Sequence, residues 1–248
     1  LAEIQKQIDP NVDTSKMKFG DILDLIDKEK ETGNVSLDIR KQVASMRKKA
    51  VEQNVSFIPT VKITLDMSEK EIVDSVSHVE WYMNKNEASC LEGLEWIKQN
   101  GHYAKDIDYG KYASMTTTFL DEVTVNLRTD RIEESKYVTD KVLNKYMEVY
   151  NLYQKSWDSA EGFKHSDAAH LGILFREYSD RMSKETAFKY LEMAEKTTKT
   201  NDTAYYLRLY VDGVKMDEQS QKEFIERAQA LYEKLPRYEN KNSTKKVK

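Results

Sequence analysis

One cysteine, three prolines and eight glycines among 248 residues leave this chain without the usual material of a cross-linked or turn-rich fold. Cys90 has no second cysteine to pair with, and its setting in "ASCLEGLEWI" suits a small buried hydrophobe better than a reactive thiol. Scarce glycine disfavours a backbone loop that wraps phosphate, and no HExxH, GxSxG or paired Cys-x-x-Cys occurs. Uncharged apolar runs are short against the ~20 residues that cross a bilayer, so no membrane span is expected.

Histidine is equally sparse. "HYAKDIDYG" sets His102 near Asp106 and Asp108, and "HSDAAH" holds His165, Asp167 and His170. Helical metal pairs use ligands three or four residues apart, whereas His165 and His170 are separated by five. Ser166 or Asp167 is better read as a helix N-cap. The sequence therefore implies no catalytic residue, no metal and no cofactor; the enzyme alternative is a dispersed site in a deep pocket lined by His102, Asp106 or His165. It begins at Leu1, as a fragment or a processed product would, so an exported product stays open beside the cytoplasmic expectation.

What is present is helical patterning. Phe19, Ile22, Leu23 and Ile26 recur at spacings of three and four before Gly33, which reads as a stop. Ser36 is a plausible N-cap for a stripe of Ile39, Val43, Met46 and Ala50. Ser68 and Glu71 form a capping box ahead of Ile72, Val76, Val79 and Met83. Leu91, Leu94 and Ile97 continue the period to Gly101, and longer patterns follow over about 109–127 and 130–157. The period breaks only at "VSFIPTVKITLDM", where Val61, Ile63, Leu65 and Met67 alternate as in an extended segment. With no partner strand in view, at most a minor β element near 55–67 is expected. The fold class is all-α, with an N-terminal helical bundle over 1–128 and helical hairpins over 129–248, ending in a disordered basic tail from about 239.

The last third carries an internal similarity. Residues 168–196 read as two amphipathic helices folded back on one another, and 204–234 read the same way. Ala168 pairs with Ala204, Leu171 with Leu207 and Leu174 with Tyr210; in the second helices Tyr190 pairs with Phe224 and Ala194 with Ala228. The first copy has Leu171, Gly172, Phe175, Ala187 and Ala194; the second places Arg208 against Gly172 and Gln221 against Ala187. This pattern resembles the tetratricopeptide class, including its looser Sel-type subfamily, over about the last 80 residues. The resemblance implies a helix-lined concave surface that binds a peptide or a partner protein.

Aromatic residues of this region are natural candidates for such a surface, because a tyrosine packs its ring while its hydroxyl reaches a partner. Tyr146, Tyr150, Phe175, Tyr178, Tyr206 and Tyr210 are the expected contacts, in a groove formed by the hairpins of 137–234. The competing expectation is a nucleic-acid partner for Arg40, Lys41, Arg47, Lys48 and Lys49, five cations with no acid between Ile39 and Val51. A formal net charge of -4 weighs against it. The expected function is thus a non-catalytic scaffold or adaptor.

Overall fold

The computed structural model describes residues 1–64, 66–100, 134–157 and 167–237, and it is all-helical. The expected boundary at 128/129, the 109–127 pattern and the tail from 239 lie outside the described residues. The chain divides into two compact units, Leu1–Val138 and Thr139–Lys248.

The first unit holds α1 (Ala2–Ile8), α2 (Phe19–Glu31), α3 (Leu37–Glu52), α4 (Glu69–Met83) and α5 (Glu87–Asn100). Its helix ends follow from local chemistry. Gly33 adopts φ +84 just after α2, a left-handed value that favours glycine. Ser36 caps α3 by accepting from Ile39 N, and Ser68 and Glu71 satisfy each other's backbone N–H groups at the start of α4. Leu23, Val79, Leu94 and Ile97 are fully buried between these helices. Cys90 is buried with them, and burial pushes its thiol well above the ordinary range, so it stays protonated and packs as a hydrophobe.

The alternating segment forms no strand: residues 55–64 belong to neither helix nor strand, with no ladder partner among the described residues. Its backbone groups find side chains of the helices instead. Phe57 N donates to Ser89 Oγ at 2.9 Å, Thr60 N donates to Asp21, Asn86 Nδ2 donates to Val55 O and Trp96 Nε1 donates to Val61 O, both at 2.8 Å. Phe57, Ile58 and Ile63 are the buried side chains of this arm. An isolated strand is unstable because of its unpaired N–H and C=O groups, and here side-chain partners remove that penalty.

Asp21 is the buckle of the arm. Partial burial raises its carboxyl pKa, but N–H groups of Thr60 and Lys18 and the Thr60 hydroxyl outweigh burial and hold it below 3.8. A carboxyl depressed in the folded state adds stability above its unfolded value, and that contribution is lost as pH falls through the folded value. We expect the urea midpoint of the first unit to fall on acidification below about pH 4, with a shallower fall in Asp21→Asn. Parallel pH profiles for the two proteins would show that Asp21 does not contribute.

The second unit holds α6 (Asp140–Trp157), α7 (Asp167–Tyr178), α8 (Lys184–Thr197), α9 (Asp202–Tyr210) and α10 (Glu218–Lys234). α8 lies beside α6 and α10, and α7 lies beside α9. Ser183 N meets Asp140 Oδ1 near the start of α6 and α8, and Lys189 meets Asn144 farther along both, so these two helices run parallel. The first helices of the two hairpins cross closely at Gly172, where an added Cβ would stand 3.0 Å from Thr203 Cα.

Both hairpins turn the same way. α7 and α9 each end in a short 3-10 turn, 179–181 and 211–213, followed by an extended residue, Met182 or Val214. Matching the turns pairs Tyr178 with Tyr210, Gly172 with Ala204 and Phe175 with Leu207, and the last two pairs are buried in both copies. The register expected from sequence, Leu171 on Leu207, is therefore displaced by four residues. Four residues overshoot a helical turn by only about 40°, so the apolar stripes overlap in either register. In the structural register the small residue is retained, and the second copy gains Lys215 and Met216 before its cap.

The second-type helices share a further pattern that includes α6. Thr139, Ser183 and Asp217 each accept a hydrogen bond from the backbone N–H three residues on. Seven residues after each cap stands an aromatic side chain with no exposure: Tyr146, Tyr190 and Phe224.

Candidate functional site

The aromatic residues expected to face a partner divide sharply by burial. Tyr146, Tyr150 and Phe175 are within 1% of full burial and Tyr178 is 3% exposed, so these four belong to the core of the second unit and do not line a surface. The reason is position. Tyr146 holds the inward slot seven residues after its cap, and Phe175 stacks on Phe224 at 5.5 Å while touching Tyr190. Tyr206 and Tyr210 are half-buried; Tyr206 fills the space left by Gly172 and lies under the Arg176 guanidinium, 5.3 Å from its ring centre.

A different set of residues lines an opening. Between the parallel helices α6 and α8 lies a groove of about 240 Å³. Asn144, Met147, Glu148 and Asn151 border it from α6; Lys189, Glu192, Met193 and Lys196 border it from α8. Spacings of three and four residues put each set on one helical stripe. Met147 and Met193 are 4% and 5% exposed and form the floor, while Glu148, Asn151, Lys189, Glu192 and Lys196 are exposed on the rim. Lys189 Nζ donates to Asn144 Oδ1 at 2.6 Å, which orients the amide with its N–H groups away from the lysine. Lys145 Nζ sits 3.3 Å from Glu148.

These positions carry a sequence signal that aromatic counting misses. Asn144 and Asn151, like Lys189 and Lys196, are seven residues apart on the solvent side of stripes whose core members are the tyrosines. Polar residues repeating at that interval beside a pair of methionines mark the groove.

In the first unit the five cations of α3 do not form one face. Arg47 turns to Asp27, with Nη2 to Oδ2 at 2.5 Å, and Arg40 Nε donates to Val35 O. Lys41, Lys48 and Lys49 point to solvent. His78 joins Asp24 through Nε2 at 2.6 Å, and the Tyr82 hydroxyl donates to the other oxygen of the same carboxylate at 2.7 Å. Burial first, then the Asp24 carboxylate, push the Tyr82 phenol far above its usual range, so it remains a neutral donor. This trio ties α2 to α4.

Among the described residues no group of three or more His, Cys, Asp or Glu side chains is placed to hold a metal ion, and no helix is long and apolar enough to cross a membrane. His102, Asp106, Asp108 and His165 lie outside the described residues. Compared with known proteins, the chain matches no family model, no curated sequence and no solved structure.

Proposed function

We propose that this chain is a non-catalytic scaffold that holds a peptide segment of a partner protein in the groove between α6 and α8. The observation that carries this reading is the composition of the groove: two methionines as floor, with amides, ammonium groups and carboxylates around the rim. A thioether floor adapts to varied apolar side chains. The polar rim offers partners to peptide N–H and C=O groups that lose water on binding. Repeated caps and core aromatics on α6, α8 and α10 support the tetratricopeptide-like resemblance, in which stacked hairpins leave side chains available to a partner. The nucleic-acid alternative through Arg40, Lys41, Arg47, Lys48 and Lys49 draws less support, because Arg47 is engaged by Asp27.

The test is to pan phage-displayed random nonapeptides on the intact chain and to titrate enriched peptides into labelled protein by NMR. We expect chemical-shift changes confined to 140–152 and 184–197, and Glu192→Trp, which adds bulk on the exposed rim, to weaken binding more than tenfold while leaving the melting temperature unchanged. Enrichment of no peptide, or shifts away from both helices, would overturn the proposal.

A further inference from the structure

The helix α3 is lightly anchored to its unit. Only Val43 and Ala50 of its 16 residues are buried, while Arg47 turns to Asp27 and Arg40 to Val35 O. The outward side carries a pattern that this anchoring does not use. Seven residues bring a helix back to within about 20° of the same direction, so Leu37, Ala44 and Val51 fall on one row about 21 Å long. Leu37 is 67% exposed and Val51 is 45% exposed, with Ala44 exposed between them. Lys41 and Lys48 repeat the same interval beside the row, exposed and with no ion-pair partner among the described residues.

The width and charge of this row select what fits it. A helix that lies on a lipid surface needs a broad apolar sector opposite its charged face. A narrow apolar row with charge directly alongside is instead the seam of a helix pair. Contact with nucleic-acid phosphates would use the lysines alone and leave the leucine and the valine facing water. A second copy of α3 is opposed by charge, because five cations against two acids, Asp38 and Glu52, would meet the same excess.

A helix that brings carboxylates satisfies both features. Its acids meet Lys41 and Lys48 as charges flanking a coiled-coil seam do, and its apolar side chains cover Leu37 and Val51. The small side chain of Ala44 leaves room for the two helices to approach at the centre of the row.

We infer that the outward row of α3 docks an acidic amphipathic helix of a partner protein, with carboxylates on Lys41 and Lys48 and apolar side chains over Leu37, Ala44 and Val51. This surface belongs to the first unit and does not depend on the groove of the second. The probe is an end-blocked peptide of three heptads, each Leu-Ala-Gln-Leu-Glu-Gln-Glu, titrated into the intact chain by NMR. Its control is the same peptide with lysine in place of every glutamate. We expect the acidic peptide to bind at least tenfold more tightly than the control, with shifts centred on residues 37–52. The variant Lys41→Glu/Lys48→Glu should reverse that preference, and Leu37→Ser/Val51→Ser should weaken the acidic peptide at least fivefold, both with an unchanged melting temperature. Binding of neither peptide, equal binding of the two, a preference that survives charge reversal, or affinity untouched by the serine variant would overturn the inference. Tighter binding of the unaltered chain to a short DNA duplex or to phosphatidylserine vesicles, or self-association through the same row, would overturn it as well.

Discussion

Replacing Gly20 with alanine is expected to destabilise the first unit by about 3 kcal/mol, at the upper end of overpacking costs. An added Cβ would stand 2.3 Å from Phe57 O and 2.7 Å from both Ile58 C and Pro59 N. All three are backbone atoms of the arm, so no side-chain rotation relieves the collision. Retreat of the arm is also costly, because Phe57 N is bonded to Ser89, Thr60 to Asp21, and the Phe57 ring meets the edge of Phe19 at 5.1 Å. Releasing Phe57 and Ile58 to water forfeits about 1.5–3 kcal/mol for each side chain. The gain in helix propensity opposes this by at most about 1 kcal/mol. Urea unfolding followed by tryptophan fluorescence measures the change, since Trp96 bonds the arm carbonyl of Val61. Gly33→Ala is the comparison: its site is open, and only the left-handed φ opposes a side chain, at about 1–2 kcal/mol. A Gly20→Ala midpoint no lower than that of Gly33→Ala would show that the arm is not seated on α2 as described.

The helix ends were readable because caps are local. Ser36, Ser68 with Glu71, and Gly33 act through bonds or torsions within a few residues, so their roles do not depend on the rest of the fold. The arm shows what a local pattern leaves out. Alternating apolar residues correctly indicate a break in the helical period, but whether such a segment joins a sheet depends on partners distant in sequence, and Ser89, Asp21, Asn86 and Trp96 take that place. The two helical hairpins were visible in the apolar pattern and the alignment of their turns was not. Apolar stripes tolerate a four-residue slip, whereas the 3-10 turns after Tyr178 and Tyr210 do not. The groove was hidden for a related reason. Large aromatic side chains serve a core as well as an interface, and the shared inward position of Tyr146, Tyr190 and Phe224 becomes evident only once their caps are aligned. That alignment turns attention to the polar neighbours on the outer side of the same helices.

Phe224→Ala is expected to destabilise the second unit by about 4 kcal/mol, the usual cost of emptying a buried aromatic site. Its ring has no exposure, stacks on Phe175 at 5.5 Å and receives the edge of Phe188 at 5.4 Å, so truncation removes contacts to α7 and α8 together. Bonds between the charged arms of α8 and α10, such as Arg227 with Glu195 at 2.7 Å, are about one-third exposed and contribute little in compensation. Where the loss appears is as informative as its size. Because α10 packs on α8 and α9, a defect at α10 is expected to lower the stability of that end first and to reach α6 through α8. Native-state hydrogen exchange of the variant should therefore show amides of α10 and α9 losing protection at low denaturant while those of α6 and the groove-facing turns of α8 retain more. Tyr190→Ala, in the central helix and against both Leu143 O and Phe175, should lower protection along the whole unit. Uniform loss in both variants would mean that the unit is a single closed bundle, and a groove between stacked second helices would then lack the independent support on which peptide binding depends.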